Sequence, residues 1–326
     1  MNSVNSIKVS VSVLCYKHAK YLRQCLDAIL NQKVNFRYEI VIGDDCSNDG
    51  SAEIISEYKE KYPDIIVPLI NDVNVGASKN SFNIKLHCRG EYISTCEGDD
   101  FWINDQKLQR QVDFLDSHPE YSAVATNSVS VNPEGENPRI LLLPRQVNKT
   151  YTMKDYLRHG MIIHGNTIMY RNHRLEENDK YKKLRFSEPT MGDVISRIIF
   201  YDRGPIFVLS DVTHAHRSGA NDVTSFSAQQ KTKLLYYTKM YFRIVDNLME
   251  YFEGKYDLNE LKSNRLSTVL YAVYLGGAKV EKNELREILD SVSLGYRFLA
   301  YYRFLRKIVL SAIRKIGRKL NLYKMV

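Results

Sequence analysis

Apolar and polar residues alternate from Lys8 to Leu14, with Val9, Val11 and Val13 on one face, and this period of two predicts a strand. Leu22, Cys25, Leu26, Ile29 and Leu30 then recur at helical spacing. Tyr38 to Ile42 is a short β-branched run, Gly43 to Gly50 reads as a loop, and Ser51 to Tyr62 as a helix stopped by Pro63. Ile65 to Leu69 predicts a third strand, Ser78 to His87 a helix and Glu91 to Thr95 a fourth strand. Strands alternating with helices imply right-handed crossovers and a mostly parallel sheet. In such sheets ligands bind beyond the carboxyl ends of the strands.

Beyond Tyr121 the pattern is mixed. Ser122 to Thr126, His164 to Tyr170 and Ile206 to Ser210 predict strands, Asp193 to Phe200 a helix, and Asn132 to Lys149 a proline-containing loop. From Ser227 onward no proline occurs and the spacing is helical. The expected organisation is an α/β domain over residues 1–225, a helical extension over 226–294 and a basic tail helix over 295–326.

Composition narrows the classes. The chain has 326 residues, 44% hydrophobic and 26% charged, as in soluble globular proteins. No apolar run approaches the ~18–20 residues of a spanning helix. The opening residues Met1 to Lys8 lack a signal-type apolar stretch, so a cytoplasmic location is expected. Five cysteines without a C-x-x-C pair argue against a disulfide framework or a zinc knuckle. The net charge is +8, yet Gly295 to Val326 holds nine Lys or Arg and no acid, which leaves −1 on the preceding 294 residues. A nearly neutral body argues against a nucleic-acid partner.

Two acidic loops carry candidate chemistry: Asp44-Asp45-Cys46-Ser47-Asn48-Asp49-Gly50 and Glu97-Gly98-Asp99-Asp100, each at the end of a predicted strand. Crowded carboxylates repel one another, and hard oxygen ligands of this kind suit Mg²⁺ or Mn²⁺ bridging to phosphates. Solvated turns are the plainer reading of each loop alone. There is no phosphate-binding P-loop and no G-x-G-x-x-G after a strand.

On these segments the chain resembles family 2 glycosyltransferases of the GT-A fold. The resemblance covers about Ile7 to Gly219 and rests on V-S-V-L-C-Y-K-H-A-K-Y-L at 11–22, E-I-V-I-G-D-D-C-S-N-D-G-S at 39–51, N-V-G-A-S-K-N at 74–80 and G-E-Y-I-S-T-C-E-G-D-D at 90–100. It implies an inverting, metal-dependent transfer of a sugar from a nucleoside diphosphate, with UDP the expected nucleotide. The implied acceptor is a glycan or lipid-linked glycan. Tyr16 is expected beside the base and Asp45 to accept a hydrogen bond from it. Asn74, Gly76, Lys79 and Asn80 are expected to shape the nucleotide-side loop. Asp99 and Asp100 correspond to the D-x-D metal element, Asp100 being the expected direct ligand of Mn²⁺ or Mg²⁺. The chain departs from the family pattern at Leu14, Cys15, Lys17 and Glu97.

The resemblance extends to a later acid. Met191-Gly192-Asp193-Val194 precedes a helical pattern, and Asp193 is expected to be the general base, with a helix cap as the structural alternative and Glu188 as the competing acid. His164-Gly165-Asn166-Thr167 is expected to border the acceptor pocket. In His214-Ala215-His216-Arg217-Ser218-Gly219, read as a loop, Arg217 is expected to meet the diphosphate and a histidine to add a metal ligand.

In the tail, Phe298, Tyr302, Leu305, Val309, Ala312, Ile316 and Leu320 fall on one helical face, and Arg303, Lys307, Arg314 and Arg318 on the other. Such a helix suits the surface of an anionic membrane, and peripheral attachment to its inner face is expected. Two rivals are a sugar-nucleotide nucleotidyltransferase, which needs a glycine-rich loop where Cys15-Tyr16-Lys17-His18 stands, and a non-catalytic membrane-bound scaffold.

Overall fold

The computed structural model describes residues 6–160, 163–188, 192–218 and 233–319, with side chains followed to residue 312. The chain divides into two compact units, residues 1–156 with 161–221, and residues 157–160 with 222–326. The expected boundary near residue 225 falls outside the described residues.

The first unit is mixed α/β around one sheet. It opens β1 (Val9–Cys15), α1 (Ala19–Leu30), β2 (Tyr38–Asp44), α2 (Ser51–Lys61), β3 (Ile66–Ile70), α3 (Ala77–His87) and β4 (Tyr92–Glu97). β5 (Phe101–Trp102), α4 (Lys107–Ser117), β6 (Ala123–Val131), β7 (Arg139–Ile140), β8 (Lys149–Tyr151) and α5 (Met153–His159) follow. The unit ends with β9 (Ile168–Arg171), α6 (Asp179–Ser187), α7 (Gly192–Arg203) and β10 (Ile206–Arg217). The strand order is β3-β2-β1-β4-β9-β6-β10-β5, with β7 on β6 and β8 on β10. The first four strands run parallel, β9 is antiparallel to β4 and β6, and β10 is parallel to β6.

The alternation of β1 becomes burial: Val9, Val11 and Val13 are fully buried and pack with Leu22, Leu26 and Ile29 of α1. Each such side chain contributes ~1.5–3 kcal/mol by leaving water. Two polar devices cross this core. Glu39, fully buried on β2, accepts hydrogen bonds from Ser10 Oγ at 2.6 Å and from the Arg89 backbone N–H and Nε at 2.8 Å each. Gly90 completes that corner, because a Cβ there would lie 2.4 Å from the Ser10 nitrogen. Lys107, also fully buried, donates to Gln111 Oε1 at 2.7 Å and Ser94 Oγ at 3.3 Å, with its ammonium 4.6 Å from the centre of the Trp102 ring.

Three readings change. β10 runs unbroken to Arg217, so His214 and His216 are strand residues rather than loop residues. Register shifts between Val208 and His214 carry the strand past the point where its apolar run ends, and pairing with β5 and β6 holds it. His164 to Tyr170 is a strand only from Ile168, after a single 3₁₀ turn at Gly165–Thr167. α4 and α6 are additions, though Leu108, Val112 and Leu115 on α4 carry a helical spacing.

The second unit contains the helices Leu234–Tyr251, Asn259–Tyr274, Lys282–Asp290 and Leu294–Lys319 around Phe242, Leu266, Val269, Leu270, Ile288 and Ala300. In the last helix the two faces are arranged contrary to simple expectation. Arg303 donates to Ser263 Oγ at 3.1 Å and pairs with Glu260 at 2.5 Å, and Lys307 donates to Ser267 and Thr268 at 3.0 and 2.9 Å. The cations therefore face helix Asn259–Tyr274, while Phe298, Tyr302, Leu305 and Val309 are 56–66% exposed. The Arg314, Ile316 and Arg318 side chains and all of Leu320 lie outside the described residues.

Lys107 gives the fold a pH signature. Burial pushes its ammonium down to about 7 from an ordinary 10.5. Between those values the unfolded chain holds a proton that the folded protein has released, so stability rises with pH. This one group adds up to about 1.4 kcal/mol per pH unit. Urea unfolding at pH 7, 8 and 9 should give a shallower rise for Lys107→Met than for the wild type. Parallel pH dependences would show that Lys107 stays charged in the fold.

Candidate active site

The parallel register sets Cys15 level with Asp44 and Leu14 level with Glu97. The loops after β1, β2 and β4 consequently leave one sheet edge side by side. Tyr16 follows β1 and is 43% exposed. Lys17 takes a positive φ of 59°, and its N–H donates to Ser47 Oγ at 2.8 Å, tying the first loop to the second.

The two aspartates after β2 differ. Asp45 is buried and accepts from Val75 N at 2.8 Å, Gly76 N at 2.9 Å and Asn71 Nδ2 at 3.2 Å. It is the clasp that holds the loop before α3. Asn74 Nδ2 donates to the Asp45 carbonyl at 3.1 Å, and Lys79 is exposed on the first turn of α3. Asn80 turns inward and donates to the Gly43 carbonyl at 2.9 Å. Asp44 is equally buried, but only its Oδ2 is engaged, by Ser47 N at 2.9 Å. Its Oδ1 is buried without a partner, an acceptor in want of a donor. Asp44 stood in the acidic motif, but adjacency in sequence does not show which aspartate is engaged.

The second acidic loop carries the strongest field. Asp100 is fully buried and accepts from Asn166 Nδ2 at 2.9 Å and Arg217 N at 2.9 Å. His216 Nδ1 lies 3.2 Å and His214 Nε2 3.1 Å from its Oδ2. Burial alone would raise this carboxyl, but the contacts with His214 and His216 outweigh it and hold Asp100 far below the carboxylate range. Asp100 in turn raises His216, against burial. His214 is lowered by burial, and His164, packed against both rings, falls to about 3 through burial and then their charges. Glu97 keeps an exposed edge, yet loss of surrounding water, then the Asp100 and Asp99 charges, pushes it up to about 7.

Asp99 is part-exposed, lies 3.9 Å from His18 Nε2, and has an Oδ1 that is buried without a partner. Among the described residues, ligand atoms of Glu97, Asp99 and Asp100 come within 4.8 Å of one another, as do those of Asp100, His164 and His214. Both His214 ring nitrogens lack a well-directed hydrogen bond. Clustered carboxylates, an orphaned oxygen and adjacent imidazoles fit a divalent cation.

Arg217 is brought to this centre by its backbone. Its guanidinium is committed elsewhere: Nε donates to the Pro133 carbonyl at 3.2 Å, and Nη1 and Nη2 donate to the Asp99 carbonyl and Gln24. It also lies 4.5 and 4.6 Å from the ring centres of Tyr21 and Phe101. In this arrangement the fork braces the acidic loop and is not open to a diphosphate.

Asp193 is exposed on the first turn of α7 and pairs with Arg197 at 2.9 Å. Glu188 is buried at the end of α6. Met191 and Gly219 lie outside the described residues. Asn166, from the segment expected to border the acceptor pocket, instead bonds Asp100, while Asn71 and Gln24 join the site without any motif announcing them.

These features place an acidic centre at one edge of a mixed α/β sheet. The chain belongs to Glycosyl transferase family 2, whose sequence pattern matches residues 10–177. An uncharacterized protein of Mycobacterium tuberculosis (strain H37Rv) is 38% identical over 112 residues, 34% of this chain and 32% of that protein. The poly(ribitol-phosphate) β-N-acetylglucosaminyltransferase TarS of Staphylococcus aureus is 26% identical over 211 residues, 63% of this chain and 34% of TarS. The chain thus spans about a third of the length of these relatives. Its fold is similar to the crystal structure of S. aureus TarS 1–349, with a TM-score of 0.63, 19% identity and coverage of 98% of this chain and 93% of that one. The complex of TarS 1–349 with UDP-GlcNAc gives a TM-score of 0.61 over 92% of this chain and 89% of that one.

Proposed function

We propose that this protein is an inverting, metal-dependent glycosyltransferase that uses a UDP-sugar and a glycan or lipid-linked glycan acceptor. The observation that carries the reading is the convergence of Glu97, Asp99 and Asp100 beside the Tyr16 and Asp44 loops at one sheet edge. The UDP-GlcNAc complex of TarS and the poly(ribitol-phosphate) acceptor in its name support the substrate classes.

Tyr16 flanks the base, and Asp45, whose carboxylate also clasps the loop before α3, accepts its imide N–H. Asn74 and Lys79 belong to that same loop and helix start. Asp100 and Asp99, with Glu97 within reach, would hold Mn²⁺ or Mg²⁺. When bound, the cation supplies positive charge against the leaving diphosphate. Asp193 takes the proton of the acceptor hydroxyl as its oxygen bonds to the anomeric carbon from the side opposite the departing diphosphate. The carbon–oxygen bond to the diphosphate breaks, and configuration inverts. Arg197 fixes the orientation of Asp193.

The last helix extends the reading. Its exposed Phe298, Tyr302, Leu305 and Val309, with exposed Arg306 among them, support peripheral attachment to an anionic membrane surface, while Arg303 and Lys307 serve the bundle instead. No helix among the described residues is long and apolar enough to cross a membrane.

Turnover by Asp193→Asn should fall by roughly 10²–10⁴-fold with UDP affinity unchanged, since Asn preserves shape but takes no proton. Near-normal transfer by the folded variant would remove Asp193 from the mechanism and leave Glu188 as the acid to examine.

EDTA should silence the wild type, and Mn²⁺ should restore it. Asp99→Asn should lose the Mn²⁺-dependent part of UDP binding in calorimetry. Asp99 is the better probe than Asp100, whose removal strands several buried donors. Unchanged activity in EDTA would refute metal dependence.

Replacing Phe298 and Leu305 by Glu should abolish sedimentation with phosphatidylglycerol vesicles without loss of the second unit's helicity. Equal sedimentation of the variant would exclude this face as the anchor.

A further inference from the structure

Between β6 and β8 runs Arg139-Ile140-Leu141-Leu142-Leu143-Pro144-Arg145, which turns aliphatic side chains to solvent. Ile140 is 59%, Leu141 41% and Leu143 51% exposed, whereas Leu142 among them is buried. The exposure is built in. Asn127 of β6, itself buried, accepts from the Leu142 N–H through Oδ1 and donates to the Leu142 carbonyl through Nδ2, both at 3.0 Å. The Leu141 N–H donates to the Ser128 carbonyl at 2.9 Å. Gln146 closes the 3₁₀ turn after Leu143: its N–H donates to the Leu143 carbonyl at 2.8 Å, and its Oε1 accepts from the Leu143 N–H at 3.0 Å. With the backbone bonded at three successive residues and Leu142 pinned inward, its neighbours are held outward.

Single exposed apolar residues need no explanation, but three within four positions, fixed from beneath by a buried side chain, do. The flanks indicate what they meet. Arg139 and Arg145 are exposed, and among the described residues neither forms an ion pair. Lys149 is exposed as well, and no Asp or Glu occurs from 137 to 149; Glu134 and Glu136 stand on the turn before that stretch. An aliphatic tip within a cationic rim suits the boundary of an anionic bilayer, where the apolar groups leave water and the guanidinium groups meet lipid phosphates. The tip also leaves the sheet near the acidic centre. Ile140 pairs with Val129 of β6, and Val131, two residues on, pairs with Arg217, whose N–H binds Asp100. Two strand residues span roughly 7 Å.

We propose that Ile140, Leu141 and Leu143, rimmed by Arg139 and Arg145, form a membrane-contacting tip on the first unit that enters the headgroup layer of an anionic bilayer. The inference rests on the membrane reading above, but on a surface separate from the last helix. It suits an acceptor carried on a lipid, because it sets the bilayer close to the acidic loop.

Brominated-lipid quenching on the full chain tests the tip directly. The chain's single tryptophan, Trp102, is 4% exposed and gives a constant background. With phosphatidylglycerol vesicles carrying brominated acyl chains, Leu141→Trp should lose most of its added fluorescence, and the wild type should lose little. Phosphatidylcholine vesicles should quench neither. Ile140→Ser combined with Leu143→Ser, and separately Arg139→Gln combined with Arg145→Gln, should weaken phosphatidylglycerol binding by roughly tenfold or more, with circular dichroism unchanged. Leu141→Trp protein that sediments with the vesicles but is not quenched would overturn the tip and leave the membrane reading standing. Protein that does not sediment at all would overturn both. If the Ile140→Ser, Leu143→Ser variant instead loses a dimer in ultracentrifugation and binds vesicles as the wild type does, the tip meets a second copy of the chain and the proposal fails.

Discussion

Asp100 is the fixed point of the catalytic unit. A fully buried carboxylate is tolerated only when donors replace its water, because an isolated charge in the interior costs far more than the fold can spare. Its partners come from distant segments: Asn166 from the turn before β9 and the Arg217 N–H from β10 donate to it, and the rings of His214 and His216 on β10 lie beside it. Satisfying one charge thus pins the acidic loop after β4 to the far half of the sheet. Its own N–H bonds the Glu97 carbonyl at 3.0 Å, which turns the loop tightly enough to present Glu97 and Asp99 outward. The negative field at the mouth of the site follows from a structural need beneath it.

The sheet supplies the other half of the constraint. With β1, β2 and β4 parallel and level at their carboxyl ends, the loops that carry chemistry have nowhere to go except the same edge. Ser47 binding the Lys17 N–H and Asp45 binding Val75 and Gly76 convert that proximity into a rigid rim. Buried Lys107 and Gln111 of α4 reach Ser94 of β4 and the Thr167 carbonyl, so the floor behind Asp100 is polar and hydrogen-bonded as well.

Much of this was legible in the sequence. The valines of β1 and the stop at Pro63 carry local signals, and the acidic loops are visible because Asp, Asn and Gly cluster where strands end. Neighbouring carboxylates could not be told apart, for a physical reason. Whether Asp99 or Asp100 turns inward depends on donors 66 and 117 residues further along, and nothing local encodes that. The same holds for Asp44 and Asp45, whose difference is set by the loop at 71–76. The segment from Asp211 to Arg217 lacks strand periodicity because its pairing, not its pattern, keeps it in the sheet. Arg185 carries no signal at all: a lysine- and arginine-rich helix reads as solvated, yet this arginine is 3% exposed.

One chain of contacts runs from the loop before α3 to the helix bearing Asp193. Asp45 fixes Gly76, Gly76 precedes α3, the Ser78 carbonyl on that helix accepts from Arg185 of α6, and α6 packs on α7. In-line transfer needs the attacking oxygen and the anomeric carbon held ~3–3.5 Å apart, a tolerance that mobile loops do not meet. On the proposed reading the donor loop and the helix bearing Asp193 are referred to one another through α3 and α6. The distance between the donor's reacting carbon and the proposed proton acceptor is then set by helix packing rather than by loops.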